Sequence, residues 1–290
     1  MQSTDCRHIL LVCKNRHKDA IALGRAAEEW LCRKGHIVTR ITAGEDSPAY
    51  AETAFDFAVV LGGDGTMLGV ARRLVGRNIP LLGINFGRVG FLTNAQPEQW
   101  QASLESCLRA QMPVQHCMAL QWSLLRRGAA VATGYAVNDV VLGRGSLARL
   151  VTLEVFVDEC RLRVLRGDGL VFSTPVGTSG YCVSAGGPLV YSTLETIAFT
   201  PLCPFLAGTP PMIFPGGAAF RVRLLQGAAD CCLTIDGQEG LPLERDDTVF
   251  VTGAPAAVSF FSDTACFFAK LRSRGFFAPP APDHSAGDKQ

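Results

Sequence analysis

A single carboxylate stands among glycines in the segment VVLGGDGTML, residues 59–68. An apolar run ends at two glycines, and Asp64 follows between Gly63 and Gly65. Glycine-rich turns between a strand and a helix commonly bind phosphate, because glycine lets the backbone approach a ligand closely and the helix start supplies free N–H groups. A carboxylate at such a turn repels phosphate, so its presence calls for a chemical or structural reason.

Two interpretations of Asp64 are open on this pattern. It is either a turn or N-cap residue that accepts hydrogen bonds from neighbouring N–H groups, or a base that accepts a proton from an attacking hydroxyl. The segment is neither a Walker A loop, since no lysine follows, nor a G-x-G-x-x-G fingerprint. In phosphoryl transfer the protein mainly positions groups and stabilises charge, so one base beside bound phosphates and Mg²⁺ is a sufficient arrangement.

A second polar segment, RGDGLVFSTPVGTSGYCVSAGGP, spans residues 166–188. Its glycines and hydroxyl side chains offer N–H and O–H donors to a ribose or phosphate, and Tyr181 offers a face on which a flat ring stacks. The alternative is an ordinary Gly/Ser loop. So long and dense a polar loop in a compact domain favours a binding function.

Two shorter segments carry weaker signals. NFGRVGFL, residues 85–92, follows the strand-like PLLGI, and in an open α/β sheet ligands bind beyond the carboxyl ends of the strands. NDVVL, residues 138–142, places an amide beside a carboxylate, a pair that suits ribose hydroxyls or an adenine edge. Taken alone, the first segment is a weak signal that a plain β–α turn also explains, and the second is more often a turn than a binding site.

Composition excludes several classes of protein. The 290 residues carry a net charge of +1 with scattered Lys and Arg, which argues against nucleic-acid partners and a polybasic membrane anchor. No apolar run approaches the ~18 residues that a membrane span needs. The 5 histidines lack metal-ligand spacing, so the base of an enzyme is expected to be a carboxylate. The 11 cysteines include no C-x-x-C pair, which favours reduced thiols in a cytoplasmic protein.

Hydrophobic periodicity divides the chain into parts. Residues 1–118 alternate strand-like and helix-like segments, which predicts an α/β domain with a parallel sheet. Residues 119–265 contain many short strand-like runs separated by turn residues, which predicts a β-rich, nucleotide-binding domain. We expect a segment at 266–278 to pack back on the N-terminal domain and the Pro-rich tail 279–290 to be disordered.

Together these segments resemble the NAD kinase family, which phosphorylates the 2′-hydroxyl of the adenosine ribose of NAD. GGDGTML is similar to an element shared with lipid kinases and, in related form, with phosphofructokinases. DGLVFSTPVGTSGYCVSAGGP is similar to a stretch specific to NAD kinases, and NFGRVGFLT, NDVVL and IDGQ follow the family's order. The resemblance covers roughly residues 8–275 and implies a Rossmann-like, phosphofructokinase-like N-terminal domain.

The resemblance also implies roles for individual residues. Asp64 matches the family's catalytic aspartate. Asn138 and Asp139 match a pair that holds adenine or ribose groups, Asp168 matches an aspartate near the nicotinamide end, and Tyr181 lies near a ring. The implied nucleotide-binding positions are Gly65, Asn138, Asp139, Arg149, Arg166, Asp168, Gly177, Thr178, Ser179, Gly180, Tyr181 and Gln238.

The resemblance further implies ATP or polyphosphate as phosphoryl donor, Mg²⁺ or another divalent cation bound with it, and a homo-oligomer, either dimer or tetramer. No residue is assigned as a metal ligand. Several positions depart from the family pattern: Val176 replaces a hydroxyl residue, Gly180 replaces an Ala, Thr178 and Ser179 have their order swapped, and Phe205 and Pro210 replace a His and an Arg. Two alternatives stay open. The shared GGDGT element leaves a lipid or sugar kinase of the wider GGDGT group, and the changes at Val176, Phe205 and Pro210 leave a non-catalytic NAD(P)-binding module.

Overall fold

A computed structural model of the chain describes residues 6–45, 47–87, 90–93, 95–145, 149–205, 208–227, 230–262 and 267–277. The predicted disordered tail, 279–290, lies outside the described residues. None of the helices in these ranges is both long and apolar enough to cross a membrane.

The N-terminal part alternates strands and helices, as its hydrophobic pattern predicts. Its parallel strands lie in the order β2-β1-β3-β4. Side chains that alternate along these strands enter two different apolar clusters, one on each face of the sheet, which explains the continuous apolar runs in the sequence. The elements are β1 (His8–Cys13), α1 (Lys18–Arg33), β2 (Ile37–Thr42), α2 (Ala49–Glu52), β3 (Phe57–Leu61), α3 (Asp64–Arg73), β4 (Pro80–Ile84) and α4 (Trp100–Leu108).

The C-terminal part is rich in antiparallel strands, which also agrees with the sequence. Its elements are β5 (Val114–Arg126), β6 (Ala129–Ala136), β7 (Asp139–Gly143), β8 (Val151–Val157), β9 (Cys160–Gly167), β10 (Gly169–Ser173), α5 (Tyr181–Ser184), β11 (Thr196–Leu202), β12 (Met212–Pro215), β13 (Phe220–Gln226), β14 (Cys232–Ile235), β15 (Glu239–Pro242), β16 (Thr248–Phe261) and α6 (Phe267–Ser273).

These strands form two layers. Six of them build a sheet in the order β12-β11-β10-β7-β14-β15. The others extend the N-terminal sheet in the order β4-β16-β13-β8-β9, with β5 on β16 and β6 on β5. The inner faces of the layers pack together around aromatic rings, of which Phe172 and Phe220 have centroids 4.7 Å apart.

One long strand links the two parts of the chain. The end of β16 pairs in parallel with β4 through Ser259 and Phe260, and its first part pairs antiparallel with β13. On its other edge β16 pairs antiparallel with β5. The predicted boundary between residues 118 and 119 falls inside β5, which runs beside β16 along both parts. The α/β part and the β-rich part therefore share a continuous sheet, which fixes their mutual orientation.

Candidate active site

Asp64 is the first residue of α3 and follows the buried strand β3 and two glycines. Its carboxylate accepts hydrogen bonds from the Phe91 N–H at 2.8 Å, the Leu92 N–H at 3.3 Å and the Thr93 hydroxyl at 3.3 Å. The Arg274 guanidinium donates to Oδ2 at 3.2 Å. The carboxylate is thus held by the loop that follows β4 and by the C-terminal segment, whereas an N-cap would bond to its own turn.

Gly90 allows this arrangement. A Cβ at residue 90 would overlap with Oδ1 of Asp64 and with the hydroxyl oxygen of Thr93. The segment 85–92 therefore approaches Asp64 as the sequence predicts, at the carboxyl ends of β3 and β4. Arg88 and Val89 of this segment lie outside the described residues.

Two cavities meet beside Asp64, and Asn138 and Gly180 line both of them. The smaller cavity has a volume of about 220 Å³. The larger one, of about 760 Å³, extends along the outer face of the six-stranded sheet. The smaller cavity is lined by Asp64, Phe91, Leu92, Asn138, Val176, Ser179, Gly180, Arg274 and Phe276.

The alternation of side chains along the strands determines which residues line the floor of the larger cavity. Val140 and Leu142 of β7 enter the core between the sheets, so Asp139, Val141 and Gly143 face outward into the cavity. By the same alternation, Cys232 and Thr234 of the neighbouring strand β14 line the floor, together with Asp236, which directly follows that strand. Asp139 and Asp236 thereby lie at the end of the cavity that adjoins Asp64.

Asp236 is a buried carboxylate that holds the start of β7 in place. Its oxygens accept hydrogen bonds from the backbone N–H groups of Val137, Asn138 and Asp139 at 3.1, 2.7 and 3.1 Å. Arg72 of α3 forms an ion pair with it at 2.9 Å, and the Asp236 side chain is 0% exposed. This contact ties the helix that begins with Asp64 to the strands that carry Asn138 and Asp139.

The Asp139 carboxyl lies in an unusual electrostatic environment. Burial, followed by the nearby negative charge of Asp236, raises the pKa of Asp139 to about 7. The side chain faces the larger cavity, so a ligand there meets a group that changes charge near neutral pH. A group with this pKa can accept or donate a hydrogen bond to a sugar hydroxyl, depending on pH.

The loop after β10 contains five of the predicted nucleotide-binding residues. A Cβ at Gly177 would overlap with the backbone of Asn138, so glycine lets these segments pack closely. The buried Thr178 hydroxyl donates to the Pro175 carbonyl at 2.7 Å and accepts from the Val190 N–H at 3.0 Å, which places it within the loop rather than in a cavity. Of the five, Ser179, Gly180 and Tyr181 line the cavities, and the Tyr181 side chain is exposed.

The three charged positions predicted further from Asp64 have different placements. Asp168 lines the distant end of the larger cavity and forms an ion pair with Arg144 at 2.7 Å. Arg149 is exposed, and Arg166 lies over the ring of Phe205 at 5.3 Å. Within the described ranges neither Arg149 nor Arg166 lines either cavity.

Gln238 connects the C-terminal part to the glycine turn. Its amide donates to the backbone carbonyl of Gly65 at 2.6 Å. The two predicted nucleotide-binding residues Gln238 and Gly65 therefore contact each other at the start of α3. Among the described residues, neither of them lines either cavity.

Sequence reasoning missed four charged residues that shape the site: Arg72, Arg144, Asp236 and Arg274. Asp236 carried a signal, because it precedes Gln238 in the motif IDGQ. The arginines carried none, since their partners are far away in the chain. Among the residues that the structure describes, no group of three or more His, Cys, Asp and Glu side chains is arranged to hold a metal ion.

Comparison with known proteins identifies the family. Residues 45–112 match the ATP-NAD kinase N-terminal domain, and residues 137–262 match the ATP-NAD kinase C-terminal domain. The NAD kinase of Nitratidesulfovibrio vulgaris strain Miyazaki F is 44% identical over 281 residues, which are 96% of this chain and 99% of the relative. The NAD kinase of Oleidesulfovibrio alaskensis is 40% identical over 283 residues, 95% of each chain.

Solved structures agree with this result. An NAD kinase from Archaeoglobus fulgidus in complex with ATP aligns with a TM-score of 0.74 and 26% identity, covering 92% of this chain and 99% of that one. Yeast NADH kinase complexed with NADH has the same fold, with a TM-score of 0.79 at 20% identity, covering 92% and 87% of the two chains. The chain thus belongs to the NAD kinase family.

Proposed function

We propose that this chain transfers a phosphoryl group to the 2′-hydroxyl of the adenosine ribose of NAD, with Asp64 as the general base. The observation that carries this assignment is the position of Asp64, in the wall of the small cavity next to the one that is large enough for a dinucleotide. A base must reach the proton that it removes, and this junction lets a ribose hydroxyl approach Asp64 while the rest of NAD occupies the larger cavity.

The larger cavity offers suitable contacts for the acceptor. Asn138 and Asp139 lie at its Asp64 end and suit the adenosine half, and Tyr181 presents an exposed ring on which a base can stack. Asp168 lies at the opposite end, where the nicotinamide half would bind. Arg149, Arg166 and Thr178 stay predictions, because none of them is among the described residues that line this cavity.

The donor is ATP or another polyphosphate. The start of α3 and its glycine turn provide N–H groups for phosphate oxygens beside Asp64. In the reaction the ribose oxygen forms a bond to the terminal phosphorus, the bond from that phosphorus to the bridging oxygen breaks, and the hydroxyl proton passes to Asp64. The leaving polyphosphate keeps the electron pair of the broken bond.

A divalent cation is expected to bind with the donor. Mg²⁺ in such sites is held by substrate phosphates and one or two carboxylates. In this site the phosphate oxygens of the donor would supply its ligands, since Asp64, the carboxylate among the residues that line the small cavity, is engaged as the base. When bound, Mg²⁺ would neutralise charge on the transferring phosphoryl group.

The proposal is tested by incubating the purified chain with NAD, Mg²⁺ and either ATP or polyphosphate, and measuring NADP. We expect NADP with at least one donor. If the chain binds NAD tightly but forms no NADP with either donor, in Mg²⁺ or in Mn²⁺, the result would instead favour a non-catalytic binding module. Phosphorylation of diacylglycerol in a parallel reaction, with no NADP formed, would favour a lipid kinase.

Assembly and location are further expectations. We expect a homo-oligomer, dimer or tetramer, because Leu162 and Val164 are exposed on β9, which lies at an edge of the larger sheet. Light scattering of the purified chain measures its oligomeric state. A cytoplasmic location is supported by the ten described cysteines, all of which are free thiols.

A further inference from the structure

Arg274 brings a positive charge into the cavity that contains Asp64. It follows α6, and its guanidinium lies 5.2 Å from the centre of the Phe91 ring and 3.2 Å from Oδ2 of Asp64. The same segment is attached to the Asp64 loop at two other points. Lys270 donates to the Phe91 carbonyl at 3.2 Å, and the Phe276 ring meets the Phe91 ring edge-on at 6.0 Å. Several contacts therefore hold the segment that carries Arg274 against the Asp64 loop.

The ion pair has a consequence for the base. A carboxylate offers roughly four lone-pair sites, and Asp64 already accepts from four donors. Three of these donors belong to consecutive residues, Phe91 to Thr93, in the loop that positions the carboxylate. The fourth is Arg274, whose side chain is 34% exposed. A substrate hydroxyl can donate its proton to Asp64 only if a lone pair of the carboxylate is free. Of the four hydrogen-bond donors, Arg274 is the one that can move away while the loop stays in place.

We propose that Arg274 binds the phosphoryl donor and that this binding draws its guanidinium away from Asp64. A terminal phosphate carries more charge than a carboxylate and accepts two parallel N–H···O bonds from a guanidinium, so it competes effectively for Arg274. The freed Oδ2 then accepts the hydrogen bond of the ribose hydroxyl. This inference rests on the proposed function, and it adds a second role for one side chain: occupancy of the donor site makes the base available.

The arrangement also explains why a carboxylate tolerates a phosphate beside it. Before the donor binds, Arg274 balances the charge of Asp64; afterwards it lies between the carboxylate and the phosphate charge. The proton transfer itself involves Asp64 and the ribose hydroxyl, and Arg274 neither gains nor loses a proton. Arg274 therefore contacts the phosphoryl donor, whereas Lys270 and Phe276 hold its segment in position.

The test compares Arg274→Ala, Arg274→Gln and Arg274→Lys with Arg272→Ala, a matched change of an exposed arginine in the last turn of α6. Steady-state assays vary ATP and NAD separately. We expect Arg274→Ala and Arg274→Gln to raise the KM for ATP about tenfold or more, with the KM for NAD changed by less than about twofold. Lysine should restore part of the loss, and Arg272→Ala should match wild type. Calorimetric titration with a non-hydrolysable ATP analogue should show the same order of affinities.

Three results would overturn the inference. The first is a KM for ATP and an analogue affinity that are unchanged in Arg274→Ala and Arg274→Gln. The second is a loss confined to the KM for NAD. The third is a higher kcat with an unchanged KM for ATP, which would make the ion pair an inhibitory contact without a donor role. Failure of the proposed function is distinguishable, because wild type itself would then form no NADP from NAD.

Discussion

Gln238, which follows β14, donates a 2.6 Å hydrogen bond to the backbone carbonyl of Gly65, the residue directly after the proposed base. Three residues at the turn between β14 and β15 therefore hold both ends of α3: Gln238 contacts its first turn, while Asp236 and Glu239 pair with Arg72 in its last turn. The C-terminal part thus positions a helix of the N-terminal part whose first residue is Asp64.

Replacing Gln238 by Glu removes the amide donor and sets a carboxylate oxygen against the Gly65 carbonyl. We expect kcat to fall about tenfold because the start of α3 shifts, although the free energy of unfolding changes by only about 1 kcal/mol for one exposed hydrogen bond. Enzyme assays and urea denaturation measure the two effects. Glu239→Gln in the same loop, which loses one exposed ion pair, serves as control and should retain kcat.

Asp236→Asn should lower the free energy of unfolding by about 3 kcal/mol or more. The change removes the charge that accepts three backbone N–H groups and leaves Arg72, whose side chain is 10% exposed, without its buried partner. The matched control is Asp246→Asn, which affects an exposed ion pair with Arg223 and should cost less than about 1 kcal/mol. Similar urea midpoints for the two variants would show that Asp236 is no anchor.

The raised pKa of Asp139 predicts a pH-dependent stability. Burial and the charge of Asp236 raise this pKa from 3.8 to about 7, so the folded state binds the proton more tightly than the unfolded state. Wild type should therefore lose unfolding free energy relative to Asp139→Asn as the pH rises from about 4 to about 7, by about 1.4 kcal/mol per unit of pKa difference. Urea denaturation at several pH values measures it, and a difference independent of pH contradicts the assignment.

Gly90→Ala should reduce kcat by about tenfold or more, since a Cβ at this residue overlaps with Asp64 and Thr93 and the carboxylate must move. Gly87→Ala in the same loop is the control, because there the Cβ would meet Oδ1 of Asn85 at an ordinary 3.9 Å. Equal kcat values for both variants would mean that the reaction tolerates a displaced carboxylate.

Local signals in the sequence explain what could be predicted. Asp64 stood out because a buried strand, two glycines and a helix start follow one another within a few residues, and the structure places it in the wall of a cavity. The alternation of strands and helices likewise predicted the parallel sheet. Both are patterns of neighbouring residues, which the sequence displays directly.

Contacts across the fold could not be predicted in this way. Asp236 reaches residues 137–139 because β14 pairs with β7 in one antiparallel register, and Arg274 reaches Asp64 across 210 positions of the chain. Val176 departs from the family pattern by the loss of a hydroxyl. The structure shows it half-buried against the apolar cluster of the N-terminal part, where an alkyl side chain packs better than a hydroxyl.

The central claim is that Asp64 removes the proton of the ribose hydroxyl, and the most direct measurement is NADP formation by Asp64→Asn from NAD, ATP and Mg²⁺. The amide keeps the size of the side chain but is a very weak proton acceptor. We predict that turnover falls about 10²–10⁴-fold while the circular dichroism spectrum and the affinity for NAD stay close to wild type. Turnover near that of wild type in a correctly folded Asp64→Asn variant would contradict the account.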